Sequence, residues 1–194
     1  MTQEAARAAL RARQGKGARY DAANAPQSDL LAARRGAAYF ARHLNQMSDA
    51  ALESPSLIQG RSRAHIVAEI SHQARAIAIT LSSLRKPLSP DEAAWAPDAA
   101  SAATLPPRAL RHLFAHSDVH LNVEFRDLTE PDWVGCVSLG DQAPILVSSI
   151  PALRAASIWR AAFYLGTGSR LADMPAHIGN DFKSELGTLH DPQR

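Results

Sequence analysis

The stretch "SRAHIVAEISHQARA", residues 62–76, decides how the chain is read. Val67, Ile70 and Ala74 recur at intervals of three and four, and Ile77, Leu81 and Leu84 continue the series. That is the spacing at which one face of an α-helix meets a core. Ser62 offers a side-chain oxygen to the first turn, so the pattern predicts a helix from Ser62 to Leu84. On a helical wheel Glu69 lies beside Gln73 and Thr80 at one margin of the apolar arc, while His65, His72 and Ala76 fall just outside it. Two readings stand for Glu69. It is a solvated shoulder at the rim of a bundle, or a half-buried carboxyl group whose pKa rises with burial and which shuttles protons.

Working outward, an earlier helix starts near Ser28 as N-cap and carries Leu30, Ala33, Ala37, Phe40, Leu44 and Met47 on one stripe. "SDAALESPSLIQG", residues 48–60, connects it to the next. "RKPLSPDEAAWAPDAASAATLPP", residues 85–107, is Pro-rich and without periodicity, and reads as a long covering loop. A third helix begins at Pro107, a favoured first helical residue, and carries Leu110, Leu113, Phe114, Leu121 and Leu128. Within it "VHLNVEF" also alternates like a strand. "DWVGCVSLGDQAPILVSS", residues 132–149, reads as two short strands around a "GDQAP" turn. A fourth helix spans Pro151 to Leu165 and stops at "GTG", and a last one lies near Ala176–Leu186. Residues 1–26 form an arm in which "QEAARAALRAR" reads as a short Ala/Arg helix, and residues 188–194 form a tail. The expectation is an all-α fold: an up-and-down four-helix bundle over residues 27–187, with a small β-hairpin between helices 3 and 4.

Composition narrows the function classes. The 194 residues carry 21 basic and 19 acidic side chains, a formal net charge of +2, too balanced for the basic face a nucleic-acid partner requires. No apolar run reaches the ~20 residues of a membrane helix, and no apolar core follows the basic N-terminus as in a secretory signal. Cys136 is the one cysteine, so no disulfide joins two parts of the chain; a cytoplasmic location is expected, with Cys136 as a small buried hydrophobe. The chain has no G-x-S-x-G elbow, P-loop or G-x-G-x-x-G. His112, His116 and His120 share one face of the third helix, a metal-binding spacing that also arises on ordinary surfaces.

"DLLAARRGAAYFARHLNQMSDAALESPSLIQGRSRAHIVAEISHQARAIAITL" resembles the N-terminal domain of the mycothiol-dependent maleylpyruvate isomerases, within the DinB/YfiT-like helical superfamily. The likeness continues through "PPRALRHLFAHSDVHLNVEFRDL" and "LRAASIWRAAFYLGTGSRLADMP", roughly residues 28 to 186, and leaves only a short tail where that family carries a further domain. The resemblance implies a bundle with zinc at one end. A His of the second helix and a Glu/His pair of the fourth hold the metal, which activates a low-molecular-weight thiol for isomerisation or S-transfer. Here those positions fall on Glu69, Ser157 and Ala161, the following Asp falls on Tyr164, and the family's Trp in its "GW[ST]R" turn is missing from "GRSR", Gly60 to Arg63. Ser is a poor zinc ligand and Ala is none.

The expectation is therefore a metal-free acid/base enzyme without a cofactor, performing isomerisation, cyclisation or elimination on a small, carboxylated substrate. Glu69, Tyr164, Ser157 and His72 are the expected catalytic residues. His65, Gln73, Arg154, Trp159, Ala161 and His116 are the expected substrate contacts. Arg154 is favoured over Arg160 to hold the carboxylate, and a homodimer through exposed helix faces is admitted. Two other readings remain: a non-catalytic ligand- or protein-binding relative, and a thiol-dependent enzyme whose metal has moved to the third-helix histidines.

Overall fold

The computed structural model describes residues 21–189. Four long helices carry it: α1 (Gln27–Gln46), α2 (Arg63–Ser82), α3 (Pro107–Asp127) and α4 (Ile150–Tyr164), followed by α5 (Ala176–Leu189). α1 packs along α4 and α2 along α3, while α2 also meets α4. Between α3 and α4 a two-stranded antiparallel hairpin pairs β1 (Cys136–Val137) with β2 (Ile145–Leu146), in the register Cys136 to Leu146 and Val137 to Ile145. The chain is thus a four-helix bundle with a small hairpin between its third and fourth helices. No helix of the described residues is long and apolar enough to cross a membrane.

Two apolar clusters fill the bundle. One gathers Phe40, Leu44, Val67, Phe114, Ile158 and Phe182. The other gathers Leu30, Ile77, Leu81, Phe125, Trp133 and Ile150. "VHLNVEF" is helical because Leu121, Glu124 and Phe125 are its buried positions and continue the face of Phe114 and Ser117 before it, a helical spacing that tertiary packing selects over the local alternation.

Ends and connections differ in detail from the sequence reading. α1 starts one residue before Ser28, because the Pro26 carbonyl accepts from Asp29 N–H and Leu30 N–H at 3.1 and 3.0 Å and the proline itself stands at the cap. Ser62 does cap α2, accepting from His65 N–H at 3.2 Å. The Pro-rich loop holds two short helices, Pro90–Ala94 and Ala99–Ala102. The first is closed by a reciprocal Ser89–Glu92 capping box and the second by Asp98, a local signal that outweighs the missing periodicity. Cys136 is exposed, since the strand pleat turns Val137 inward and Cys136 outward. The expected "QEAARAALRAR" helix lies outside the described residues.

Candidate functional site

Arg63 fixes the end of the bundle where α2 begins and α4 stops. Its Nε donates to Leu165 O at 2.8 Å and its Nη atoms reach Gly166 O and Ala51 O, both at 3.3 Å. A guanidinium there also complements the negative end of the α4 dipole. Leu57 N–H donates to Tyr164 O at 2.9 Å, which brings the connection before α2 against the same end.

Between the two helices opens a cleft of about 390 Å³, within the size range of small-molecule sites. α2 contributes Glu69 and Gln73, and α4 contributes Ser157, Arg160, Ala161 and Tyr164. Ile58, Ile66 and Ile70 supply an apolar floor. On α4 the spacing of Ser157, Ala161 and Tyr164 places them on one face.

Each polar group has a defined state. The Glu69 carboxylate forms an ion pair with the Arg61 guanidinium. Both are about 40% exposed, at 40% for Glu69 and 41% for Arg61, so the pair sits at the mouth of the cleft and not in its floor. Gln73 Nε2 donates to Ser157 Oγ at 2.8 Å and Gln73 Oε1 accepts from Arg154 Nη1 at 3.0 Å. Arg160 is ion-paired with Glu185 and lies over the Phe182 ring, which ties α5 to the cleft wall.

The other sequence candidates lie elsewhere. His65 and His72 are rotated to the far side of Glu69, because the cleft takes the i+4 neighbour Gln73 and not the i+3 neighbour His72. The His72 ring meets Trp95 edge-on at 5.5 Å, and its pKa is lowered, by burial first and then by Arg75, with Asp98 opposing. Trp159 faces α1, where its indole N–H donates to Ala32 O at 3.0 Å, so its polar edge is spent inside the core. His116 is exposed on α3 between His112 and His120, with ring centroids 6.0 and 6.4 Å away.

Arg154 is the main correction. Its guanidinium does not line the cleft but is 2% exposed behind it, donating also to Ile70 O at 2.9 Å and lying 3.9 Å from Asp118. Burial lowers its pKa to about 10 and Asp118 only partly restores it. Arg160, set aside for solvent in the sequence, is the arginine that lines the cleft. Arg61 was visible only as a departure from the "GW[ST]R" pattern.

The donor set does not compose the zinc site that the resemblance implies. Glu69 is already neutralised by Arg61, the Ser157 oxygen accepts from Gln73, and Ala161 has no donor atom. Among the described residues no three His, Cys, Asp or Glu side chains are grouped to hold a metal ion.

Comparison with known proteins bears on the same region. The family model of the mycothiol maleylpyruvate isomerase N-terminal domain matches residues 33–159. Two solved structures, those of the mycothiol-dependent maleylpyruvate isomerase and of a histidine-to-alanine mutant of it, are similar with a TM-score of 0.69 at 26% identity. The match covers 79% of this chain and 65% of the isomerase chain. The curated proteins contain no match.

Proposed function

The chain belongs to the mycothiol maleylpyruvate isomerase N-terminal domain family, and from that premise we propose that its cleft is the active site of a small-molecule enzyme that works by general acid/base chemistry without the family's metal. The observation that supports this is the convergence of Glu69 from α2 with Ser157, Arg160 and Tyr164 from α4 on one cleft. A carboxylate facing two hydroxyl groups and a guanidinium can take a proton from an activated carbon and return it elsewhere. That is the core of isomerisation, cyclisation and elimination alike.

In this reading Glu69 is the base. Arg61 holds one oxygen of its carboxylate and thereby its orientation, leaving the other oxygen to work. Tyr164 is the proton donor on the opposite wall, and Arg160 attracts a carboxylated substrate. The apolar floor of Ile58, Ile66 and Ile70 accommodates the carbon skeleton and excludes water from it. No cofactor enters the scheme.

Turnover of maleylpyruvate and related unsaturated diacids tests the proposal, measured with and without mycothiol and with and without a chelator. Chelator-insensitive turnover that Glu69→Gln abolishes supports it. Turnover that Glu69→Gln leaves intact, or that a chelator removes, overturns it.

A further inference from the structure

We infer that the Ser157 hydroxyl is the anion donor of this cleft, held in that role by the buried Arg154 acting through Gln73, and that the molecule the cleft takes presents a carboxylate to it. This rests on reading the cleft as a small-molecule site, but not on Glu69 being the base.

The direction of both hydrogen bonds from Arg154 through Gln73 to Ser157 is fixed by chemistry. A guanidinium carries donors and no acceptor, so the Gln73 amide must turn its oxygen to Arg154, at 3.0 Å. Its nitrogen then faces Ser157, and at 2.8 Å the Ser157 oxygen is the acceptor. The Ser157 proton must therefore go to another partner. Helical serines commonly give it to the carbonyl four residues back. Ser71, Ser117 and Ser184 do so here, at 2.6, 2.8 and 3.0 Å to Val67 O, Leu113 O and Asn180 O. Ser157 forms no such bond among the described residues, and it lines the cleft. Its O–H is the free end of a relay that starts at a buried cation, and each bond in such a relay polarises the next.

The rest of the cleft agrees on the sign of the ligand. Among the described residues Glu69 is the only carboxylate lining it, and one of its oxygens is engaged by Arg61. Behind the wall, Arg154 is 2% exposed, and its Nη2 is buried with no hydrogen-bond partner. Its nearest acid, Asp118, stands 3.9 Å away. Each arginine around the cleft has an acid partner, Arg61 with Glu69, Arg160 with Glu185 and Arg154 with Asp118, so the preference for an acceptor-rich anion is carried by the donors left over, the Ser157 O–H and the Arg154 Nη2 behind it. One hydroxyl beside an isoleucine floor matches a carboxylate on a short carbon chain better than a phosphate, which calls for a cluster of donors. Arg154 is thus a positioning residue: it never meets the ligand, but it decides which way Ser157 points.

Titration calorimetry of the full chain with maleate, and with its neutral diamide maleamide, tests this. Wild type should bind maleate saturably and more tightly than maleamide. Ser157→Ala and Gln73→Met should each weaken maleate by about tenfold or more, as for loss of a hydrogen bond to a charged group, and leave maleamide little changed. Ser157→Thr keeps the hydroxyl and should keep the preference. Absence of maleate binding, equal binding of the two probes, or displacement of maleate by inorganic phosphate would overturn the ligand class. Variants that weaken both probes alike, or neither, would overturn the role of Ser157. Glu69→Gln should preserve the preference for maleate even where turnover is lost, so the base assignment and this inference fail separately.

Discussion

The close approach of α1 to α4 depends on one glycine, and replacing it gives a sharp test of how the cleft wall is held. A Cβ added at Gly36 would lie 2.5 Å from Ile158 Cγ2, 2.9 Å from Trp159 Nε1 and 3.0 Å from Trp159 Cδ1. Carbon atoms in contact prefer roughly 3.5–4.0 Å, so Gly36→Ala requires α4 to retreat by about 1 Å or Ile158 and Trp159 to leave their rotamers. Both side chains are buried, at 0% and 5% exposure, so neither has solvent to retreat into. Overpacking of this kind costs about 1–3 kcal/mol. Displacing the indole also stretches its 3.0 Å bond to Ala32 O, worth about 1 kcal/mol net. Against these stands a gain of about 1 kcal/mol from alanine's helix propensity. The sum is a loss of roughly 1–3 kcal/mol. Gly187 supplies the control, since it is exposed in α5 with nothing within 4 Å of its added Cβ. Gly187→Ala should therefore stabilise, by at most about 1 kcal/mol. Urea unfolding of the three proteins reads both signs. If Gly36→Ala is as stable as wild type, or both variants shift the same way, the close α1–α4 packing described here is wrong.

Three further outcomes are expected. Glu69→Gln should lower kcat by about 10²–10⁴-fold, as for removal of a general base, while the urea midpoint moves little, because a surface ion pair contributes about 0–1 kcal/mol. Acid should destabilise the fold through His72 and His43: burial lowers both pKa values below 6.5, so the unfolded chain binds more protons as pH falls through that value. Their contribution is complete above about pH 7 and lost progressively below 6.5, and His72→Phe should flatten the drop between urea midpoints at pH 7.5 and 5.5. At lower pH Asp173 acts in the same direction, its pKa held near 2 by Arg170 and Tyr39 against an ordinary 3.8, so Asp173→Asn should remove a loss of stability that wild type shows between about pH 4 and 2.

How much of this was legible in the sequence depends on what fixes each feature. The long helices were readable because each buries one stripe at a spacing of three and four, and that spacing is set by local geometry alone. Ser157, Ala161 and Tyr164 were singled out by the family resemblance, and helical spacing added only that they share one face of α4. Side-chain destinations were not readable. Glu69, His72 and Gln73 lie within two turns, yet only the packing of α4 against α2 decides that the cleft opens toward Gln73. Arg154 and Arg160 are six residues apart on one helix and chemically identical, and the sequence favoured the wrong one for the cleft. What separates them is Asp118 on α3 and the Ile70 carbonyl, which draw Arg154 inward, and Glu185 on α5, which keeps Arg160 at the wall. Those partners are 36, 84 and 25 residues away in sequence, distances over which no local pattern operates.

Two departures that the resemblance implies, read singly, look like two separate losses: a histidine position that holds Glu69 and a tryptophan position that holds Arg61. In the folded chain they are one interaction, because the Arg61 guanidinium pairs with the Glu69 carboxylate at the cleft mouth. A carboxylate introduced alone beside an apolar floor would carry an uncompensated desolvation cost, and an arginine introduced alone would lack a counter-charge. Together the costs offset. The pairing also has a chemical consequence. A guanidinium stays charged across the working pH range and brings a fixed fork of donors, so it supplies positive charge at the cleft without an open coordination position. Such a cation orients an anionic substrate but does not itself generate a nucleophile as a Lewis-acidic metal would. In the proposed reading the proton chemistry then falls to Glu69 and Tyr164, while Arg160 draws the anion in and Ser157 receives it.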